Sequence, residues 1–345
     1  MSSNPLLKEL ADPRLVKSLA LEVQANVPLN ESSSMDEVHA YFDNVEKVND
    51  QNCVMLLSSK PKDATISATV VNIMGMDGNQ IPLHIFTPEK PSTKCLLYIH
   101  GGGMGIYSPN SAIYSHFSTD IAAKLNCTVI AVEFRNSSGA LGRHPFPAGL
   151  HDCKSALEWI HSQKEEKQIS HIFLCGESGG ANLSIALTLL MKSENKHSII
   201  SGIYAMCPYI SGLYAPIETE DSAKLPSLSK FDYCGIIDLK TCHFMAVAYD
   251  PERQHTRNPL AWPYWATDED LQDLPPFVIA LNELDPLFDE GMCFYRRLMK
   301  VGVSVRARTV LGTPHAGDLL CMSVLPELYL STLYDIKAFV DAVQC

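Results

Sequence analysis

A chain of 345 residues that is 46% hydrophobic and 19% charged can bury a large core, and no stretch of it is polar or repetitive enough to read as disordered. Its formal net charge of −12, with no run of Lys or Arg that could follow a phosphate backbone, argues against nucleic acid as a partner and weakly against anionic substrates. The start, MSSNPLLKELADPRLVK, lacks the pattern of a secretory signal, and no apolar run approaches the ~20 residues that span a bilayer, so the expectation is a cytoplasmic protein with no membrane partner.

Taken in chain order, residues 1–45 read as helical and polar-rich, with PRLVKSLALEV amphipathic, and they precede any strand. Strand-type runs follow at 68–73, 82–86, 95–99, 128–133, 171–175, 202–206, 277–281 and 303–309. Most are continuous rather than alternating, as expected of strands covered on both faces. Helical spacing occupies 111–125, 148–163, 180–192, 288–301 and 324–342. The alternation predicts an α/β fold with a mostly parallel, eight-stranded sheet flanked by helices. Residues 209–258 exceed what one crossover helix needs, and with 1–45 they suggest a discontinuous helical cap on a catalytic domain formed by 46–208 and 259–345.

The eleven cysteines contain no C-x-x-C pair, which argues against a disulfide framework and a zinc cluster alike. Cys95 in CLLYIH and Cys207 in YAMC lie inside apolar runs, where a free thiol packs as a small hydrophobe. All eleven are expected to be reduced.

Chemistry is concentrated in the stretch FLCGESGGANLSIALTLL. Gly176-Glu177-Ser178-Gly179-Gly180 matches G-x-S-x-G between an apolar strand and a helix-forming run, the context in which a sharp turn holds a serine hydroxyl above a sheet. A glycine-rich turn with an incidental serine would read the same if it stood alone. It does not, because His100-Gly101-Gly102-Gly103 follows the strand 95–99, and such a loop offers backbone N–H groups to an oxyanion. A serine needs a base and an orienting acid, expected later in the order Ser, Asp, His. Asp285 in NELDPLFDEG follows the strand 277–281, and His315 in LGTPHAGD follows the strand 303–309. Both lie at carboxyl ends of strands, where open α/β sheets build their sites.

Competing acids are Glu283, Asp289 and Glu290, the last two reading as the start of a helix. Of the twelve histidines, His100 reads as structural, and His151, His161 and His197 fall in helical runs. Met104 and Tyr209 are candidates for lining a substrate pocket, with core packing as the competing reading.

These motifs resemble the hormone-sensitive-lipase-like carboxylesterases of the α/β-hydrolase superfamily, from about residue 80 to the end. Besides HGGG and the serine elbow, VEFRNSSGALGRHPFPAGLHDC, CPYISG and NELDPLFDEG resemble that family's segments. The resemblance implies an α/β-hydrolase fold, Ser178 as nucleophile, His315 as general base and acid, Asp285 as its partner, and oxyanion donors at Gly102, Gly103 and Gly179. It also implies an acyl-enzyme mechanism on carboxylic esters with no metal or cofactor; a lid from 1–45 and 209–258 closes a pocket of finite volume, and no long amphipathic interfacial helix is evident, so short- to medium-chain acyl esters are expected. The partner expected is a small-molecule ester, with a homodimer left open. Two departures stand out: the elbow reads GESGGAN where GDSAGGN is commoner, and Ala-Gly follows His315 where Gly-Phe is usual, which would open the pocket wall on that side. An amidase or deacetylase would carry the same triad, whereas a non-catalytic receptor of this fold would lack the histidine.

Overall fold

The computed structural model of the chain describes residues 5–19, 27–57, 65–215 and 219–343. Eight strands form one sheet: β1 Ile66–Met74, β2 Gln80–Pro88, β3 Lys94–Ile99, β4 Thr128–Val132, β5 His171–Glu177, β6 Gly202–Met206, β7 Phe277–Asn282 and β8 Val305–Val310. Their order is β1-β2-β4-β3-β5-β6-β7-β8, with β1 and β2 antiparallel and β3 to β8 parallel.

Twelve helices are present among the described residues: α1 Pro5–Leu10, α2 Pro13–Ser18, α3 Met35–Leu57, α4 Ala112–Leu125, α5 Ala148–Ser162, α6 Gly179–Ser193, α7 Ser227–Lys230, α8 Leu239–Tyr249, α9 Asp268–Leu271, α10 Phe288–Lys300, α11 Gly317–Leu320 and α12 Pro326–Ala342. The continuous apolar runs follow from cover on both faces. Along β3, Leu97 and Ile99 join Leu157 of α5, Leu187 of α6 and Phe294 of α10, while Leu96 and Tyr98 join Phe117 of α4 and Ile336 of α12. Fully burying one such Leu or Ile contributes ~1.5–3 kcal/mol. The run at 68–73 behaves differently, because β1 is an edge strand. Val70 and Met74 are exposed there, a difference that a hydrophobic run by itself does not encode.

Sequence runs from β6 to β7 through residues 207–276, and the N-terminal helices pack on this excursion. Leu7, Ala11 and Leu15 meet Phe231 and Cys234, and Val38 and Phe42 of α3 meet Phe244 and Ala248 of α8. Helix α3 continues without a break through residue 45, where the sequence reading ends the cap, because no glycine or proline interrupts its amphipathic pattern. Of PRLVKSLALEV, Pro13–Ser18 is helical; its part from residue 20 lies outside the described residues, as do 1–4. Among the described side chains nine cysteines are free thiols, eight of them buried; the side chains of Cys53 and Cys345 lie outside the described ones. No helix among the described residues is long and apolar enough to cross a membrane.

Candidate active site

Strand β5 ends at Glu177 and α6 begins at Gly179, so Ser178 alone makes the turn, with φ 55° and ψ −117°. A non-glycine residue there is strained by about 1–3 kcal/mol and persists only where its surroundings hold it. They do so here through the backbone: Ser178 N–H donates to Met206 O at 2.9 Å, and Ser178 O accepts from Asn182 N–H at 3.0 Å. Close approach explains the glycine at 180, where a Cβ would strike the carbonyl oxygens of Ile99 and His100. Asn182 completes the support: its side-chain amide donates to Tyr209 O at 2.9 Å and Ala261 O at 3.0 Å.

The glycine loop lies directly against this turn. A Cβ on Gly179 would come within 2.8 Å of Gly103 Cα. Gly179 is the first residue of α6, where helix geometry leaves the amide without an intrahelical acceptor. Gly102 and Gly103 have φ of +89° and +61°, backbone that L side chains adopt reluctantly, and a Cβ on Gly103 would collide with Met245 Sδ of α8. The loop is anchored by Glu177, whose carboxylate accepts from Gly101 N–H and from the Tyr98 hydroxyl, each at 2.9 Å. Burial raises this carboxyl to about 7, against the opposing pull of its hydrogen bonds and of nearby His315. His100 stacks on Phe134 with ring centroids 4.4 Å apart, and burial lowers its imidazole to about 4, so it is a neutral packing group.

His315 Nδ1 lies 2.8 Å from Asp285 Oδ2, with both residues buried. The other oxygen, Asp285 Oδ1, accepts from Leu287 N–H at 2.9 Å, which fixes the carboxylate's orientation. The loops after β7 and β8 are tied together by Leu284 N–H to Thr313 O at 3.0 Å and by Asn282 to Thr313 Oγ1 at 2.8 Å. The competing acids have other partners. Glu283 accepts from Gly312 N–H at 2.8 Å and Asp289 from Ser227 N–H at 2.6 Å. Glu290 is buried and accepts from Ile210 N–H, the Ser211 hydroxyl and the Tyr214 hydroxyl; burial raises it to about 7.

Ser178, His315, Gly102 and Gly103 line one cavity of about 290 Å³. Tyr209 also lines it, though its hydroxyl is spent on Cys242 O and its ring stacks on Tyr214. Met104 does not: at φ 56° its side chain turns into the core, so this pocket candidate is replaced by Met245 and Tyr107. Ala316 forms the wall beyond His315, in the left-handed conformation that a glycine would adopt without strain. Sequence reasoning missed Glu177, Asn182 and the contribution of α3 beyond residue 45, because neither motif spacing nor hydropathy signals them.

Cys207 is the remaining neighbour of the pair, its sulfur within 4.8 Å of the ligand atoms of Asp285 and His315. Burial pushes this thiol well above its ordinary range, so at neutral pH it packs as a protonated group.

Comparison with known proteins agrees with this architecture. Residues 96–318 match the model of a family described as alpha/beta hydrolase fold. A solved structure described as brefeldin A esterase, a bacterial homologue of human hormone sensitive lipase, is 37% identical, with 96% of this chain and 93% of that one covered and a TM-score of 0.87. The chain belongs to the hormone-sensitive-lipase-like family of α/β-hydrolases. Similarity extends to further esterases. Esterase Est22 is 32% identical, with 99% of this chain and 100% of that one covered and a TM-score of 0.85. An arylesterase of Saccharolobus solfataricus is 27% identical over 312 residues, 88% of this chain and 91% of its own.

Proposed function

We propose that the ester hydrolysis expected of this family member runs through Ser178, His315 and Asp285 as a nucleophile–base–acid triad. The chain is a carboxylic ester hydrolase, and the hydrogen bond from His315 Nδ1 to Asp285 Oδ2 at 2.8 Å carries the finer reading. With Nδ1–H donated to the carboxylate, Nε2 is left as the acceptor that a nucleophile requires. Ser178 Oγ attacks the ester carbonyl while His315 takes its proton; the same imidazole returns it to the leaving alcohol, and water then hydrolyses the acyl-enzyme. The N–H groups of Gly102, Gly103 and Gly179 receive the oxyanion, a role supported by the packing of Gly179 on Gly103.

The cavity of about 290 Å³ lies at the lower end of the ~300–1,000 Å³ found for small-molecule pockets. It favours short- and medium-chain acyl groups over long-chain triglycerides. A series of p-nitrophenyl esters from acetate to palmitate tests this: kcat/KM should be highest between two and eight carbons, about, and fall beyond. Efficient turnover of emulsified triolein would contradict it.

A further inference from the structure

The cavity wall formed by α3 differs from the rest. Most of the lining is apolar or aromatic, and among the described residues that line it none is Lys or Arg. Asp50 nevertheless places a carboxylate in that wall, half-buried, and has no cationic partner among the described residues. It accepts a hydrogen bond from Ser111, the N-cap of α4, one turn before Tyr114. Its neighbour Asn49 donates to the Tyr107 hydroxyl at 2.7 Å, and the rings of Tyr107 and Tyr114 stand 5.9 Å apart on the same wall.

A carboxylate drawn partly out of water, with no counter-ion among the described residues, costs free energy, as the upward displacement of its titration by burial indicates. The unfavourable term is offset when a cation enters the cavity. The rings of Tyr107 and Tyr114, which line the same cavity, add a second attraction for a quaternary or protonated amine. An anionic acyl or alcohol group would meet like charge and no Lys or Arg among the described lining residues.

The geometry points to Asp50, with Tyr107 and Tyr114, as a recognition subsite for a cationic ammonium group, so that the preferred substrates are esters of amino alcohols or amino acids carrying a positive charge. This rests on ester hydrolysis in the same cavity and specifies its substrate class. Asp50 is a specificity-determining residue here and takes no part in bond making.

The test uses two matched pairs with the full-length enzyme, one for each side of the ester. Choline butyrate is compared with 3,3-dimethylbutyl butyrate, its neutral isostere, and phenyl 4-(trimethylammonio)butanoate with phenyl 5,5-dimethylhexanoate. Each kcat/KM is divided by the hydroxide-catalysed rate of the same ester. In at least one pair the cation should be favoured on the order of tenfold, mainly through KM, with the preference shrinking as salt rises. Asp50→Asn should bring the ratio to about one, and Asp50→Glu should retain much of it. Ratios within about twofold in both pairs for the wild-type enzyme, or a preference that survives Asp50→Asn, would overturn the assignment and leave Asp50 as a support of α4 alone. Failure to hydrolyse any of the four esters, cationic or neutral, would count instead against the proposed function, so the two readings fail separately.

Discussion

Gly101 donates its backbone N–H to the Glu177 carboxylate at 2.9 Å, so the residue before the elbow serine holds the root of the glycine loop. The two motifs start 76 positions apart in the chain and are joined by this buried acid. Burial raises Glu177 from 4.5 to about 7. An unfolded chain therefore releases this proton at lower pH than the native one, and the native state loses stability as pH rises from about 4.5 to about 7, then levels off. Glu177→Gln should remove that part of the slope, a contribution of up to about 3 kcal/mol. Thermal melts at pH 5 and pH 8 check it: the variant's Tm relative to wild type should rise between the two. An unchanged difference would contradict the account.

Removing the imidazole by His315→Ala should be nearly as damaging as removing the serine, on the order of 10⁶-fold in kcat. Asp285→Asn should cost less, about 10⁴-fold, because the ring stays while its tautomer and charge support are lost. Asp289→Asn, whose carboxylate serves Ser227, should affect stability more than turnover. Steady-state kinetics on p-nitrophenyl butyrate separates these cases, and an Asp289 variant slower than the Asp285 variant would reassign the acid.

Gly103→Ala would force a methyl into Met245 at a φ of +61°. Displacement of one oxyanion donor costs about 10²–10³ in kcat. Adding Met245→Ala should recover part of the loss by removing the collision, though not the backbone strain. If the single variant turned over at the wild-type rate, Gly103 would not be a donor.

Phe42 is buried between α3 and α8, so Phe42→Ala should destabilise by ~3–5 kcal/mol. Because α3 also brings Asn49 and Asp50 to the cavity wall, KM should rise more than kcat falls. A stable variant with unchanged KM would show that α3 does not shape the pocket.

Legibility in the sequence followed from how narrowly the backbone constrains each residue. The elbow could be read because only glycines tolerate the contact at Gly180 with Ile99 O, and the acid and base because loops after β7 and β8 open on one rim of the sheet. The reach of α3 could not, since its amphipathic pattern crosses residue 45 without a stop signal. Met104 was misleading for a related reason: a hydrophobic residue beside a site can face either way, and its positive φ decides. Glu177 gave no sign of its role, because its partners Tyr98 and Gly101 come from a different strand and loop.

The most direct test of the central claim is labelling with a fluorophosphonate followed by peptide mass spectrometry. Stoichiometric phosphonylation of Ser178, in step with loss of esterase activity and absent from a folded Ser178→Ala variant, is the predicted result. Modification of a different serine, or esterase activity at the wild-type level in Ser178→Ala, would contradict it.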